Sequence, residues 1–274
     1  LNLNNATLSA PGGYLQGSST SDLTIKGTHA DTVVIPTSSS FSIRTFNIEG
    51  TRKVAMAATP VYDVNLYSVM TIASDATYCN GGESRIFNTV AGVTAVDIYG
   101  KFITRDKDGF YGGGTSITGA ILTLRDGSTV EYGRTGDQQV TSTSIISPQV
   151  YYNIIFSGTG TKTPSNAVNV NTLGSVTITG TSSLIVDATS NNIGLTSANT
   201  TAFNMNGGIF KVGTAATLPL MDGTYNLTGG VIQYNGGSLG TNAQSIRAKT
   251  YHAIEVYGTN VGNSAAVTLN SSGG

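Results

Sequence analysis

Between Phe46 and Cys79 the chain reads in register with itself 106 residues further on, and this long-range self-similarity restricts the fold more than any local pattern. The matched positions are mostly apolar or aromatic: Phe46/Tyr152, Ile48/Ile154, Val64/Val170, Tyr67/Leu173, Met70/Val176, Ile72/Ile178, Tyr78/Leu184 and Cys79/Ile185. Asn47/Asn153 and Thr71/Thr177 are polar identities. A third copy follows, since Tyr151-x-x-Ile154-x-x-x-Gly158-Thr159 recurs at an offset of 100 as Tyr251-x-x-Ile254-x-x-x-Gly258-Thr259, and Tyr132 pairs with Tyr234 at an offset of 102. Small changes of offset between blocks of fixed spacing are what surface turns tolerate. The expected division is residues 1–45 as the end of a preceding repeat, 46–151 and 152–251 as whole repeats, and 252–274 as the start of another. Such a chain reads as a window of a longer exported protein, or as a mature subunit that stacks end to end on its own kind.

Composition sets the partner classes. Charged residues make up 11% of the 274 positions and the net charge is −1, so the chain lacks the basic footprint that nucleic acid or anionic lipid requires. No apolar run approaches the roughly 18 residues that span a membrane, and no basic segment leads into an apolar one as in a signal peptide. Membrane insertion and nucleic-acid binding are therefore not expected. Hydrophobic residues reach 39% and fall in β-branched clusters, which supports a packed core rather than disorder. One Cys excludes an intramolecular disulfide framework.

The local pattern is all-β. Asp22-Leu-Thr-Ile-Lys, Ser42-Ile-Arg-Thr-Phe-Asn-Ile, Val96-Asp-Ile-Tyr, Ile121-Leu-Thr-Leu, Thr129-Val-Glu-Tyr, Ser175-Val-Thr-Ile-Thr, Ile209-Phe-Lys-Val and Val231-Ile-Gln-Tyr largely alternate apolar with polar and are rich in Val, Ile, Thr and Tyr. Turn signals lie between them at Pro11-Gly-Gly, Asn80-Gly-Gly, Gly112-Gly-Gly, Asp126-Gly, Asp222-Gly, Gly229-Gly and Asn235-Gly-Gly. Strands recurring about every 20 to 25 residues predict the coils of a β-solenoid resembling a parallel β-helix, four or five coils to each repeat of about 100 residues. The alternative is a string of tandem immunoglobulin-like β-sandwiches of about 100 residues each. The absence of Trp and of a Cys pair counts against it.

No residue is assigned a catalytic, cofactor-binding or metal-ligating role. His252 occupies the position of Phe46 and Tyr152 in the other copies and is expected to fill an aromatic slot; His29, in Gly27-Thr-His-Ala-Asp, is expected in a solvated turn. Cys79 stands where the next copy has Ile185, as a small buried hydrophobe would. Arg105-Asp106-Lys107-Asp108-Gly109 contains a D-x-D-G fragment, but it lacks the third acidic position and the distant Glu of a calcium loop, so a solvated turn is expected. Asp63, Asp75, Asp97 and Asp187 are dispersed rather than paired as glycosidase carboxylates are. Thr177-x-Thr179-x-Thr181 places three hydroxyls on one strand face, as in ice-binding solenoids, yet the preceding copy keeps only Thr71 beside Ala73 and Asp75.

Gly17-Ser-Ser-Thr-Ser-Asp-Leu-Thr-Ile-Lys-Gly-Thr and Tyr152-Asn-Ile-Ile-Phe-Ser-Gly-Thr-Gly-Thr-Lys-Thr, followed by Val168-Asn-Val-Asn-Thr-Leu-Gly-Ser-Val-Thr-Ile, resemble the strand repeats of giant cell-surface adhesins of Bacteroidota. Those proteins include gliding adhesins and adhesive fibres exported by the type IX secretion system. Asp31-Thr-Val resembles the short acceptor pattern for O-glycosylation in that phylum. The resemblance implies an extracellular, cell-surface repeat region with a structural or adhesive role, no cofactor and no catalytic residues. The partners it implies are neighbouring repeats or identical subunits in a fibre, and a glycan or other cell-surface ligand. A carbohydrate-active β-helix enzyme and an ice-binding solenoid are the alternatives.

Overall fold

The computed structural model describes residues 15, 17–35, 39–88, 94–194, 201–213, 217–236, 244–258 and 267–269. The chain is all-β, a β-solenoid of stacked parallel sheets. It divides into two compact units, Leu1–Arg134 with Ile145–Pro148, and Thr135–Ser144 with Gln149–Gly274. Parallel pairing between strands about one coil apart in sequence rules out the sandwich alternative, which is built of antiparallel sheets.

In the first unit each coil carries up to three short strands. One face stacks Asp22–Gly27, the second part of Phe41–Gly50, the second part of Val64–Ile72, Ala95–Ile98 and Ile121–Leu124. A second face stacks Thr32–Ile35, Lys53–Met56, Thr77–Cys79, Lys101–Thr104 and Thr129–Tyr132. The third joins the starts of Phe41–Gly50 and Val64–Ile72 to Ile86–Asn88 and Ile117–Thr118. Phe41–Gly50 and Val64–Ile72 serve two faces each because the register slips between Ile43 and Thr45, bending the chain without ending the strand.

Parallel in-register stacking turns a period-two pattern into straight columns. Leu23, Phe46, Met70, Val96 and Leu122 are consecutive partners 23 to 26 residues apart, all buried, and Ile25, Ile48, Ile72, Ile98 and Leu124 form the neighbouring buried column. On the second face Val33, Val54, Tyr78, Phe102 and Val130 point inward. Rings meet inside, within a column and between columns: Phe46 lies edge-on to Tyr78 at 6.0 Å, Tyr78 is 5.2 Å from its register partner Phe102, and Phe102 is 5.1 Å from Phe110.

The second unit repeats the plan. Tyr151–Phe156, Val170–Ile178, the first part of Ala202–Val212 and the first part of Tyr225–Gly236 stack with Ile154, Val176 and Phe203 buried and Tyr225 half-buried. Gly160–Pro164, Leu184–Ala188, the second parts of the two long strands and Ile254–Gly258 form another face. Phe203 contacts Phe210 at 5.5 Å and Tyr225 at 5.4 Å. Gly229-Gly230, expected as a turn, lies inside Tyr225–Gly236. There the chain passes a corner: Gly230 has φ +81°, and the neighbouring coil runs so close that a Cβ on Gly230 would lie 2.8 Å from the Gly207 carbonyl oxygen. Pro11-Gly-Gly and Gly237 lie outside the described residues.

All eight predicted strand segments fall on or overlap strands. The matched positions Ile48/Ile154, Val64/Val170, Met70/Val176, Ile72/Ile178 and Tyr78/Leu184 are buried on both sides. Phe46 is buried, but Tyr152 is only half-buried and Tyr151, Ile154 and Phe156 fill the interior. A register irregularity between Tyr151 and Asn153 causes this difference. Leu173, matched to half-buried Tyr67, is 91% exposed at a bend where Asn171 Oδ1 accepts from its N–H at 2.9 Å.

Candidate functional sites

Outward residues also form columns, about 4.8 Å apart from rung to rung. On the first unit Thr24, Asn47, Thr71, Asp97 and Thr123 follow one another in register. Charges there are tied across rungs. Arg44 pairs with Asp22, whose carboxylate also accepts from the Thr45 hydroxyl, and the Arg44 guanidinium holds that carboxyl well below its ordinary range. Arg125 reaches Asp97 at 2.7 Å, Arg134 reaches Glu83 at 2.9 Å, and Lys101 pairs with Glu131. The second unit uses neutral ladders instead: Ser175 donates to Asn153 at 3.0 Å, Asn204 to Thr177 at 3.3 Å and Asn226 to Asn204 at 2.8 Å.

Thr177 and Thr179 are half-buried and Thr181 is exposed, and the register continues Thr177 into Asn204 rather than into another Thr. Thr177 therefore does not extend into a threonine column on the next rung.

A second outward column, Val34, Ala55, Cys79 and Ile103, is apolar and floors a groove of about 330 Å³ edged by Lys53 and Arg105. Cys79 is 8% exposed there, and burial pushes its thiol up. It is a small buried hydrophobe as expected, although it sits on the outer side of its strand.

Inside the first unit a polar knot interrupts the apolar columns. Asn80, Thr104 and Ser116 are fully buried; the Asn80 amide donates to Ser116 Oγ at 2.8 Å and to the Ser84 carbonyl at 3.1 Å, and its oxygen accepts from the Arg105 N–H at 2.8 Å. Thr104 donates to the Gly109 carbonyl at 3.2 Å and shares a 2.7 Å contact with Ser116. These bonds fix the corner that begins at Gly81, where φ is +76° and a Cβ would meet the Met56 carbonyl at 2.2 Å.

The D-x-D-G fragment belongs to this corner, and the expectation of a solvated turn is corrected for Asp106, which is fully buried. Its carboxylate faces Arg85 Nε at 3.5 Å and accepts from the Asp108 N–H at 2.9 Å; burial nevertheless pushes its pKa above the ordinary value. Among the described residues no three His, Cys, Asp or Glu side chains gather as metal ligands do. Nor does a helix long and apolar enough to cross a membrane occur among them.

The two histidines are peripheral. His29 is half-exposed 3.3 Å from Asp31, in a turn that buried Arg52 braces by donating to the His29 carbonyl at 3.2 Å. His252 does not fill an aromatic slot: it is exposed, with Nδ1 3.2 Å from the Gly230 carbonyl, and the ring turned inward is its neighbour Tyr251. This is the same one-residue offset that puts Tyr151 rather than Tyr152 in the interior.

In the second unit Tyr251 belongs to a cluster that the sequence reading did not single out. Its ring lies edge-on to Tyr225 at 5.8 Å, and Tyr234 donates to its hydroxyl at 3.4 Å. Burial raises the pKa of Tyr225, Tyr234 and Tyr251, so these phenols stay neutral. Asp222, Arg247 and Lys249 lie beside them. The only hint in the sequence was local crowding of Tyr and charge in an otherwise uncharged stretch.

No protein-family model, curated protein or solved structure matches the chain.

Proposed function

We propose that this chain is a non-catalytic structural and adhesive segment of an extracellular surface fibre, in keeping with the Bacteroidota adhesin repeats that its strands resemble. The observation that carries this reading is the column architecture. Each rung packs chiefly on its neighbours, so length is added without enlarging the core, and outward positions recur at rung spacing, as Thr24, Asn47 and Thr71 do, so that the surface offers many contact points along one scaffold. Multivalent display suits adhesion, because many weak contacts on one rigid scaffold bind far more tightly than any one of them. The carboxylate with the raised pKa, Asp106, is enclosed at a corner and faces Arg85, which fits a structural role better than proton transfer to a substrate.

Electron microscopy of the native material tests the proposal. Fibres with an axial period built from steps of about 4.8 Å, retained on glycan-coated surfaces, are the expected result. Isolated compact particles that cleave polysaccharide would overturn it in favour of the carbohydrate-active enzyme.

A further inference from the structure

In the second unit, residues 222–224 and residues 248–250 face one another across an open cavity of about 640 Å³. Charged groups define it. The Asp222 carboxylate is 2.9 Å from Arg247 Nη1 through one oxygen and 3.4 Å from Lys249 Nζ through the other. Arg247 is anchored from behind by its Nε–H, which donates to the Pro219 carbonyl at 2.6 Å. Lys249 donates to the Asp222 carbonyl at 3.1 Å and lies 5.6 Å from the centre of the Tyr225 ring. Tyr225 is itself braced by Phe203 and by a bond from its hydroxyl to the Met221 carbonyl at 2.8 Å. The charges are thus positioned before any ligand arrives, which lowers the ordering cost of binding.

What the cavity presents is an acceptor-only group beside a donor-only group. A carboxylate has about four lone-pair sites and an ammonium three N–H donors, and Asp222 and Lys249 remain 47% and 29% exposed. Two adjacent hydroxyls, one donating and the other accepting, use both groups at once. Arg247 does not line the cavity, so its walls carry one charge of each sign: an anion would meet the Asp222 carboxylate, a cation would meet Lys249, and an apolar ligand would strip water from both. Exposed Thr224 and Thr250 stand at the rim.

The geometry points to this cavity as a carbohydrate site that takes the vicinal diol of a neutral sugar, Asp222 accepting from one hydroxyl and Lys249 donating to the next. The assignment rests on the adhesive reading and gives it a ligand class and an address.

The test is titration of the full chain with methyl α-mannopyranoside, methyl β-galactopyranoside and sodium galacturonate, followed by amide chemical shifts. At least one neutral glycoside moves the Gly223, Thr224 and Lys249 amides saturably and more strongly than galacturonate does. Asp222→Asn and Lys249→Met each weaken binding about tenfold, as loss of a charge-assisted hydrogen bond requires. Lys249→Met leaves the Asp222–Arg247 pair in place, so it reports on binding even if Asp222→Asn loosens the coil. Still amides with both neutral glycosides, tighter binding of galacturonate, or unchanged affinity in the Lys249→Met variant overturns the site. If glycan-coated surfaces still retain the Lys249→Met chain as well as the parent, the adhesive reading stands while this site falls; if they retain neither, both fall.

Discussion

The two units solve the same surface problem with different chemistry. In the first, outward columns are joined by opposite charges reaching across rungs, as Arg44 to Asp22, Arg125 to Asp97 and Lys101 to Glu131. In the second, amides and hydroxyls do this work, as Asn204 to Thr177 and Asn226 to Asn204, while Asp222 and Lys249 meet at one cavity with Arg247 paired to Asp222 beside it. Their interiors differ too. The first unit buries the Asn80–Thr104–Ser116 knot with Asp106 beside it, whereas the second buries Lys162, whose ammonium donates to the Gly136 carbonyl at 3.0 Å. A parallel coil stack tolerates either solution outside, because outward residues need only match their rung neighbours, but inside it costs free energy to leave a polar atom without a partner.

The largest effect is expected from the ring stacks that both interiors share. Phe102→Ala removes contacts to Tyr78 and Phe110 and should cost about 3–5 kcal/mol; Phe203→Ala, which loses Phe210 and Tyr225, should cost a similar amount. Hydrogen exchange should show protection lost most strongly in the rungs adjoining each substitution. A loss spread evenly over all described rungs would break the nearest-neighbour picture.

A smaller, pH-dependent effect should separate the interiors. Burial raises the Asp106 pKa, so the folded chain holds this proton more tightly than the unfolded chain, whose carboxyl titrates near 3.8. Stability owed to Asp106 is therefore greatest below that value and declines as pH rises through the raised one. Measured by denaturant unfolding, the parent should lose stability relative to Asp106→Asn as the pH climbs from the ordinary carboxylate range. A difference that is flat or opposite in slope would show that Arg85 compensates the carboxylate fully.

Least in size is the surface contrast. Asp97→Asn should cost only about 0.2–1 kcal/mol, and that cost should shrink as salt approaches about 1 M, where the screening length is about 3 Å. Asn204→Ala in the neutral ladder should show no such salt dependence. Equal salt dependence of the two variants would dissolve the distinction between charged and amide columns.

Much of the fold was legible because the pleat is local. Val64, Met70, Ile72 and Tyr78, and their counterparts Val170, Val176, Ile178 and Leu184, announce an inward face by alternation alone, and all are buried. The bulge at residues 151–153 was not legible, since a one-residue slip leaves the composition unchanged while exchanging Tyr152 for Tyr151 inside; the same exchange put Tyr251 in place of His252. Asp106 looked like a solvated turn residue because D-x-D-G carries no signal of what packs over it.

From sequence alone came the strands, their inward residues, the coil spacing and the scarcity of charge, properties set by backbone period and side-chain type within a few residues. Only the tertiary structure decided which polar groups meet. Asn80 finds Ser116 36 residues away, Arg44 finds Asp22 at 22 and Lys249 finds Asp222 at 27. Those separations depend on the length of each coil and the corner it turns, and coil lengths vary because turns on a solenoid lengthen or shorten without disturbing the hydrogen-bonded rungs that hold it together.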